Sequence, residues 1–308
     1  MQITSGKIET NGVELFYEAR GPEAGEPILF VMGLSAQMVF WPESLLNALA
    51  EQGYRVIRFD NRDVGMSTHL KAPVTHGPVA AMVRFYLGLP LKVAYDLHDM
   101  VRDTIGLIDA LGYQRVHLVG ASMGGMISQL MAIHYPDRVL SLTSIMSSPN
   151  SRLVPPPTRA ALQTLVGPKA RIENIEQYIE MGKDMMRRLG GTLPQAEDIV
   201  EAMFRQSWGR GLHPRGIRQQ FMAVMATGSF RRDLRRIKAP ATVIHGASDP
   251  LIRPTGGRLS ARNIPGARWH SVKGMGHDFP EVAVQEISES IIETVTRLPK
   301  VTEQEAAA

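Results

Sequence analysis

The sequence has no cysteine in 308 residues, which excludes disulfides, thiolate nucleophiles and any zinc site built on thiolates. It opens without a basic segment followed by an apolar core, so no secretory leader is visible. Together with the missing cysteines this leads us to expect a cytoplasmic protein. No apolar run is long enough to span a bilayer. The nearest candidate, residues 79–95, carries Arg84 and Lys92 and is interrupted at Gly88 and Pro90. No two of the nine histidines stand at the spacing of a metal pair on one helix face, so no metal site is expected. Carboxylates are scarce in one region: residues 149–235 hold fourteen Lys/Arg against eight Asp/Glu, a balance of +6 in a chain whose total is +4. That region has no clustered basic run with interleaved aromatics. Its charge reads as solvated helix faces, and neither nucleic acid nor membrane is expected as a partner.

What is present alternates. "KIETNGVELFYEARG" reads as a hairpin turning at Asn11-Gly12. "PILFVMG" and "YRVIRFD" read as buried strands, with a helix over 42–52 between them and another over 96–111 after them. A strand at Val116, a helix over 126–134 and the strand "LSLTSIM" follow. The rhythm resumes with "ATVIHG", a helix near 255–262, "ARWHSV" and a helix over 283–298. Apolar strands alternating with helices predict an α/β fold, a mostly parallel central sheet with helices on both faces. Residues 149–235 break the rhythm. They open proline-rich and then show helical patterns only, with methionines at 181, 185, 186, 203, 222 and 225. We read 1–148 and 236–308 as the core and 149–235 as an inserted helical lid. The tail "KVTEQEAAA" reads as disordered.

One stretch concentrates small residues around a hydroxyl. "HLVGASMGGMISQ" sets Gly120, Ala121, Gly124 and Gly125 about Ser122, between an apolar strand and a helical run. This matches the G-x-S-x-G elbow, whose small flanks let strand and helix approach while the serine oxygen points outward. A serine hydroxyl needs a base to take its proton and an acid to orient that base. In such sheets chemistry gathers beyond the carboxyl ends of the strands. Asp249 lies just past "VIHG", and His277 lies in a glycine-rich loop after the last strand. The order Ser, Asp, His agrees with the elbow's usual partners. The other acid position, after the strand before the insertion, is empty, since residues 141–150 hold no Asp or Glu. A turn-starting Asp249 or a packed His277 is the plain alternative for each residue taken singly.

With these residues in place the chain resembles the α/β-hydrolase superfamily over nearly its whole length. "VMGLSAQMVFWPES", "RVIRFDNRDVGMST" and "LVGASMGGMISQLMAIHYPDRVLSLTSIM" look like the aclacinomycin methylesterase-like serine esterases. The resemblance implies a carboxylic ester hydrolase working through an acyl-enzyme. Ser122 would be the nucleophile, His277 the base and acid, and Asp249 the orienting carboxylate. The backbone N–H groups of Leu34 and Met123 would form the oxyanion hole. Relatives commonly carry His-Gly where this chain has Met32-Gly33; a backbone donor at Leu34 survives that change. Asp60, Arg62, Gly65 and Ser67 resemble a supporting turn of the superfamily, with Asp63 where glycine is common. The resemblance implies a small-molecule ester substrate and no cofactor. Met185 and Met225 are expected to contact substrate, since thioethers adapt to variable apolar groups. The same triad also serves perhydrolases, cofactor-free haloperoxidases and carbon–carbon bond hydrolases, and a ligand-binding member without turnover is a further class. Dehalogenase and epoxide-hydrolase relatives place an aspartate where Ser122 stands, and the latter use paired lid tyrosines, whereas this lid has only Tyr178.

Overall fold

Asn11 and Gly12 turn the chain at one edge of the sheet. Both have positive φ (46° and 75°), and the strands they join, β1 (Ile3–Thr10) and β2 (Val13–Arg20), pair antiparallel over their full length. The computed structural model describes residues 2–166 and 172–297. After the hairpin come β3 (Pro27–Val31), α1 (Glu43–Glu51) and β4 (Arg55–Phe59). They lead to α2 (Pro78–Leu87), α3 (Leu97–Ala110), β5 (Val116–Ala121), α4 (Met123–His134) and β6 (Val139–Ile145). Four helices follow before the next described strand: α5 (Arg159–Val166), α6 (Ile175–Leu189), α7 (Glu197–Gly209) and α8 (Pro214–Thr227). Then come β7 (Ala241–Gly246), α9 (Pro254–Asn263), β8 (Arg268–Val272) and α10 (Glu281–Val295).

The eight strands form one sheet in the order β1-β2-β4-β3-β5-β6-β7-β8. The β1–β2 and β2–β4 pairs are antiparallel, and every other neighbouring pair is parallel. Both faces are covered, and β3 records this in its alternation. Leu29 and Val31 enter the core under α3 and α4, while Ile28 and Phe30 enter the core under α1 and α10. All four are fully buried, each contributing roughly 1.5–3 kcal/mol of apolar transfer. A continuous apolar strand is the consequence of two covered faces.

Helix ends follow local chemistry. Asp96 caps α3 by accepting from the N–H groups of His98 and Asp99, and Asp99 accepts from the Asp96 N–H in return. Within residues 79–95 the break acts as the sequence suggests: α2 stops at Leu87 and Gly88 takes a left-handed φ of 74°. Among the described residues no helix is long and apolar enough to cross a membrane. The last helix stops at Val295, three residues short of the expected limit. Residue 298 and the tail 300–308 lie outside the described residues.

Buried amides and a guanidinium hold the helices between β6 and β7 in place. Asn150 Nδ2 ties the chain after β6 to the end of α8, donating to the Val224 and Gly228 carbonyls at 2.7 and 3.0 Å. Gln37 donates to the carbonyls of Ser207 and Gly211, and Arg210 donates to Gln37 and to the buried Asp60 carboxylate.

Candidate active site

Ser122 stands between the end of β5 and the start of α4 with φ 54° and ψ −118°. This is a left-handed φ that a non-glycine residue holds only when its surroundings fix it. They do. The Ser122 N–H donates to the Ile145 carbonyl at 2.9 Å, and its own carbonyl accepts from Ser147 Oγ at 2.7 Å. The surrounding small residues answer a steric demand: a Cβ on Gly124 would lie 1.9 Å from the Val31 carbonyl oxygen, so any side chain there would push α4 off β3.

Asp249 and His277 come from the ends of β7 and β8, on the same edge of the sheet. His277 Nδ1 lies 2.8 Å from Asp249 Oδ2, and His277 Nε2 lies 3.0 Å from Ser122 Oγ. A carboxylate at Nδ1 accepts a hydrogen bond from Nδ1–H and so fixes the proton there, leaving Nε2 as an acceptor facing the serine hydroxyl. Asp249 is fully buried, and its other oxygen accepts from the N–H groups of Leu251 and Ile252 at 2.8 and 2.9 Å. Burial alone would raise its pKa. The imidazoles of His277 and His245 outweigh that and lower it to about 2. Asp278, the nearest other carboxyl in sequence, is turned elsewhere. It accepts from Gln195 and from the Gly276 N–H, and burial raises its pKa.

The loop after β3 lies directly against the serine: a Cβ on Gly33 would be 3.0 Å from Ser122 Cβ. Within the described residues no hydrogen bond uses the N–H of Leu34 or of Met123, the two positions expected to supply oxyanion donors. Met32 is buried in the core with Ile28, Trp41 and Met275, and its carbonyl accepts from Asn61 Nδ2 at 2.9 Å. Apolar packing and that amide hold the loop at Met32.

The turn after β4 is fully engaged in support. Asp60 accepts from the N–H groups of Met38 and Met66, and Ser67 Oγ donates to its carbonyl. Arg62 forms a bidentate pair with Asp103, and Asp63, at φ 71°, accepts from Tyr95 and Leu70. Met185 and Met225 separate. Met225 packs against Ala81, Phe221 and Met222, a cluster that Leu34 also packs against. Met185 instead packs with Tyr178, Ile179 and Phe204, inside the α6–α7 pair. The two methionines, both expected to contact substrate, thus pack in different clusters, Met185 toward a neighbouring helix. Among the described residues no group of three His, Asp or Glu could hold a metal ion.

Three residues near the site carry no sequence signal strong enough to have been singled out for it. Gln220, fully buried on α8, accepts from the Ser35 N–H at 2.9 Å and donates to the Arg62 carbonyl at 2.7 Å. Asn61 holds Met32 as described. His245 donates to the Ile252 carbonyl at 2.7 Å with the same Nε2 that stands 3.3 Å from Asp249 Oδ2. The C-terminal end of α6 touches the histidine loop as well, since the His277 N–H donates to the Leu189 carbonyl at 2.7 Å.

The sequence pattern of the alpha/beta hydrolase fold family matches residues 26–283. The chain is 26% identical over 303 residues to the rhodomycin D methylesterase DauP of Streptomyces sp. (strain C5), covering 91% of this chain and 93% of that one. It is 35% identical over 162 residues to the putative carbamate hydrolase RutD of Variovorax paradoxus (strain S110), 52% of this chain and 53% of that one. In structure it is similar to the enol-lactonase of Burkholderia xenovorans LB400, with a TM-score of 0.69 and 23% identity over 95% of this chain and all of that one.

Proposed function

The chain belongs to the α/β hydrolase fold family, and on that premise we propose that it hydrolyses carboxylic esters with Ser122 as nucleophile. One observation carries the proposal: the run of hydrogen bonds from Ser122 Oγ through His277 to Asp249, at 3.0 and 2.8 Å. Ser122 attacks the ester carbonyl as His277 Nε2 takes its proton. The carbonyl oxygen becomes negative and is held by the N–H groups of Leu34 and Met123. Collapse breaks the bond to the alkoxy group, which leaves as an alcohol with the proton from His277. Water then gives a proton to His277 and its oxygen to the acyl carbon, releasing the acid and restoring the serine. Asp249, anionic throughout the neutral range, keeps the imidazole in the tautomer that each step needs.

In this reading residues 149–235 act as a lid over a core of 1–148 and 236–308, and Met225 contacts substrate; its packing against the cluster that Leu34 also packs against supports that role. Support for an ester comes from the methylesterase similarity across nine-tenths of the chain. The test is turnover of methyl and p-nitrophenyl esters, compared with halogenation in peroxide and with cleavage of a dienoic diketone. Ester turnover should dominate. Faster halogenation or carbon–carbon cleavage would transfer the same residues to another reaction.

A further inference from the structure

We propose that the outer face of α2, with the basic segments around it, docks on an anionic lipid surface. Helix α2 has a single charged residue, Arg84. Its inner side, Ala81 and Phe85, is buried, with Ala81 packed against Phe221 and Met222. Its outer side is also apolar, and it is exposed: Val79, Val83, Tyr86 and Leu87, the last 68% accessible. These positions recur at i, i+4, i+7 and i+8 and so share one face. Leu89, also exposed, extends the patch. The Arg152 guanidinium lies 5.7 Å from the Phe85 ring centroid, which brings a basic residue to α2. A helix apolar all round belongs in a core or in contact with lipid, and an exposed apolar cluster of this kind marks an interaction surface.

Charge identifies the partner. Residues 64–95, 149–166 and 214–227, which form α2, its flanks and the helix packed on it, contain no Asp or Glu. They contribute Lys71, Arg84, Lys92, Arg152, Arg159, Arg215 and Arg218. The eight carboxylates of residues 149–235 lie elsewhere: three within α6, three within α7, Glu173 just before α6 and Asp233 after α8. A second copy docking face to face would oppose two carboxylate-free basic patches, which is repulsive. A bilayer bearing anionic headgroups meets both features, taking the apolar side chains into the acyl boundary and the cations at the headgroups. A helix lying in the interface needs no spanning length, so the lack of a membrane-crossing helix among the described residues does not oppose this docking.

The test is sedimentation of the full chain with vesicles of phosphatidylcholine alone and of phosphatidylcholine mixed with phosphatidylglycerol. Binding should be confined to the mixed vesicles and should weaken as salt rises. The double variant Val83→Glu, Leu87→Glu should bind at least about tenfold more weakly, and Lys92→Gln about fivefold. Val282→Glu, exposed on α10, should leave binding unchanged, and thermal unfolding should confirm that every variant is folded. Equal binding to both vesicle types, binding to neither, or binding undiminished in the folded double variant would overturn the proposal. So would a dimer seen by light scattering that Leu87→Glu dissociates while vesicles capture nothing.

Discussion

Gln220 Oε1 accepts the backbone N–H of Ser35 at 2.9 Å while its Nε2 donates to the Arg62 carbonyl at 2.7 Å. Ser35 has φ 65° and follows Leu34 in the loop that lies against Ser122. One buried side chain on α8 thereby holds a left-handed residue in the loop and ties it to the turn after β4. Gln220→Leu should lower kcat on a p-nitrophenyl ester by about 10²-fold, the scale of a misplaced catalytic donor, with little change in KM. Gln220→Glu keeps the acceptor for Ser35 and should retain more of the rate than Gln220→Leu. A variant that loses thermal stability but keeps kcat would show that Gln220 serves packing alone.

Asp249 sets two expectations. Asp249→Asn should fold and lose about 10⁴-fold in kcat, because an amide can neither fix the tautomer nor stabilise the imidazolium. The carboxyl's folded pKa of about 2 lies below its unfolded value. It therefore contributes stability above the unfolded pKa, about 2 kcal/mol, and loses it as pH falls toward 2. Urea unfolding between pH 5 and pH 2 should fall more steeply in the wild type than in Asp249→Asn. Parallel curves would mean that Asp249 is not held down in the folded state.

Met32→Ala separates packing from chemistry. The side chain is buried and its carbonyl, which Asn61 holds, is unchanged by the substitution. Stability should drop by about 2–5 kcal/mol, with kcat close to wild type in the folded fraction. A fall of 10²–10³ in kcat, the scale of a lost oxyanion donor, would show that the thioether itself positions the loop.

Much of this site is legible in the sequence because backbone sterics write it there. A serine in a left-handed turn pressed against β3 demands small neighbours, and Gly120, Ala121, Gly124 and Gly125 are the trace. Asp249 and His277 are legible because a parallel sheet delivers the ends of β7 and β8 to one edge. Gln220 is not legible. Its partners are backbone groups of Ser35 and Arg62, more than 150 residues away, and backbone groups leave no side-chain signature at the other end. For Met185, periodicity gives the face of α6 but not which element covers it, and α7 does.

Met185 and Met225 should therefore behave differently. Met225→Ala should change the ranking of short and long acyl esters, by 10–200-fold in relative kcat/KM for a pocket that loses the equivalent of a methylene. Met185→Ala should lower the melting temperature and leave the ranking alone. Identical rankings for wild type and Met225→Ala would remove Met225 from the substrate pocket.

The most direct measurement is intact-mass analysis after incubation with a fluorophosphonate, followed by peptide mapping. A serine activated by the His277–Asp249 pair should take one adduct, located at Ser122. Ser122→Ala should take none and should lose about 10⁴-fold or more in ester turnover, since members of such a unit act together. An adduct at another residue, or near-wild-type turnover in Ser122→Ala, would contradict the assignment of Ser122 as nucleophile.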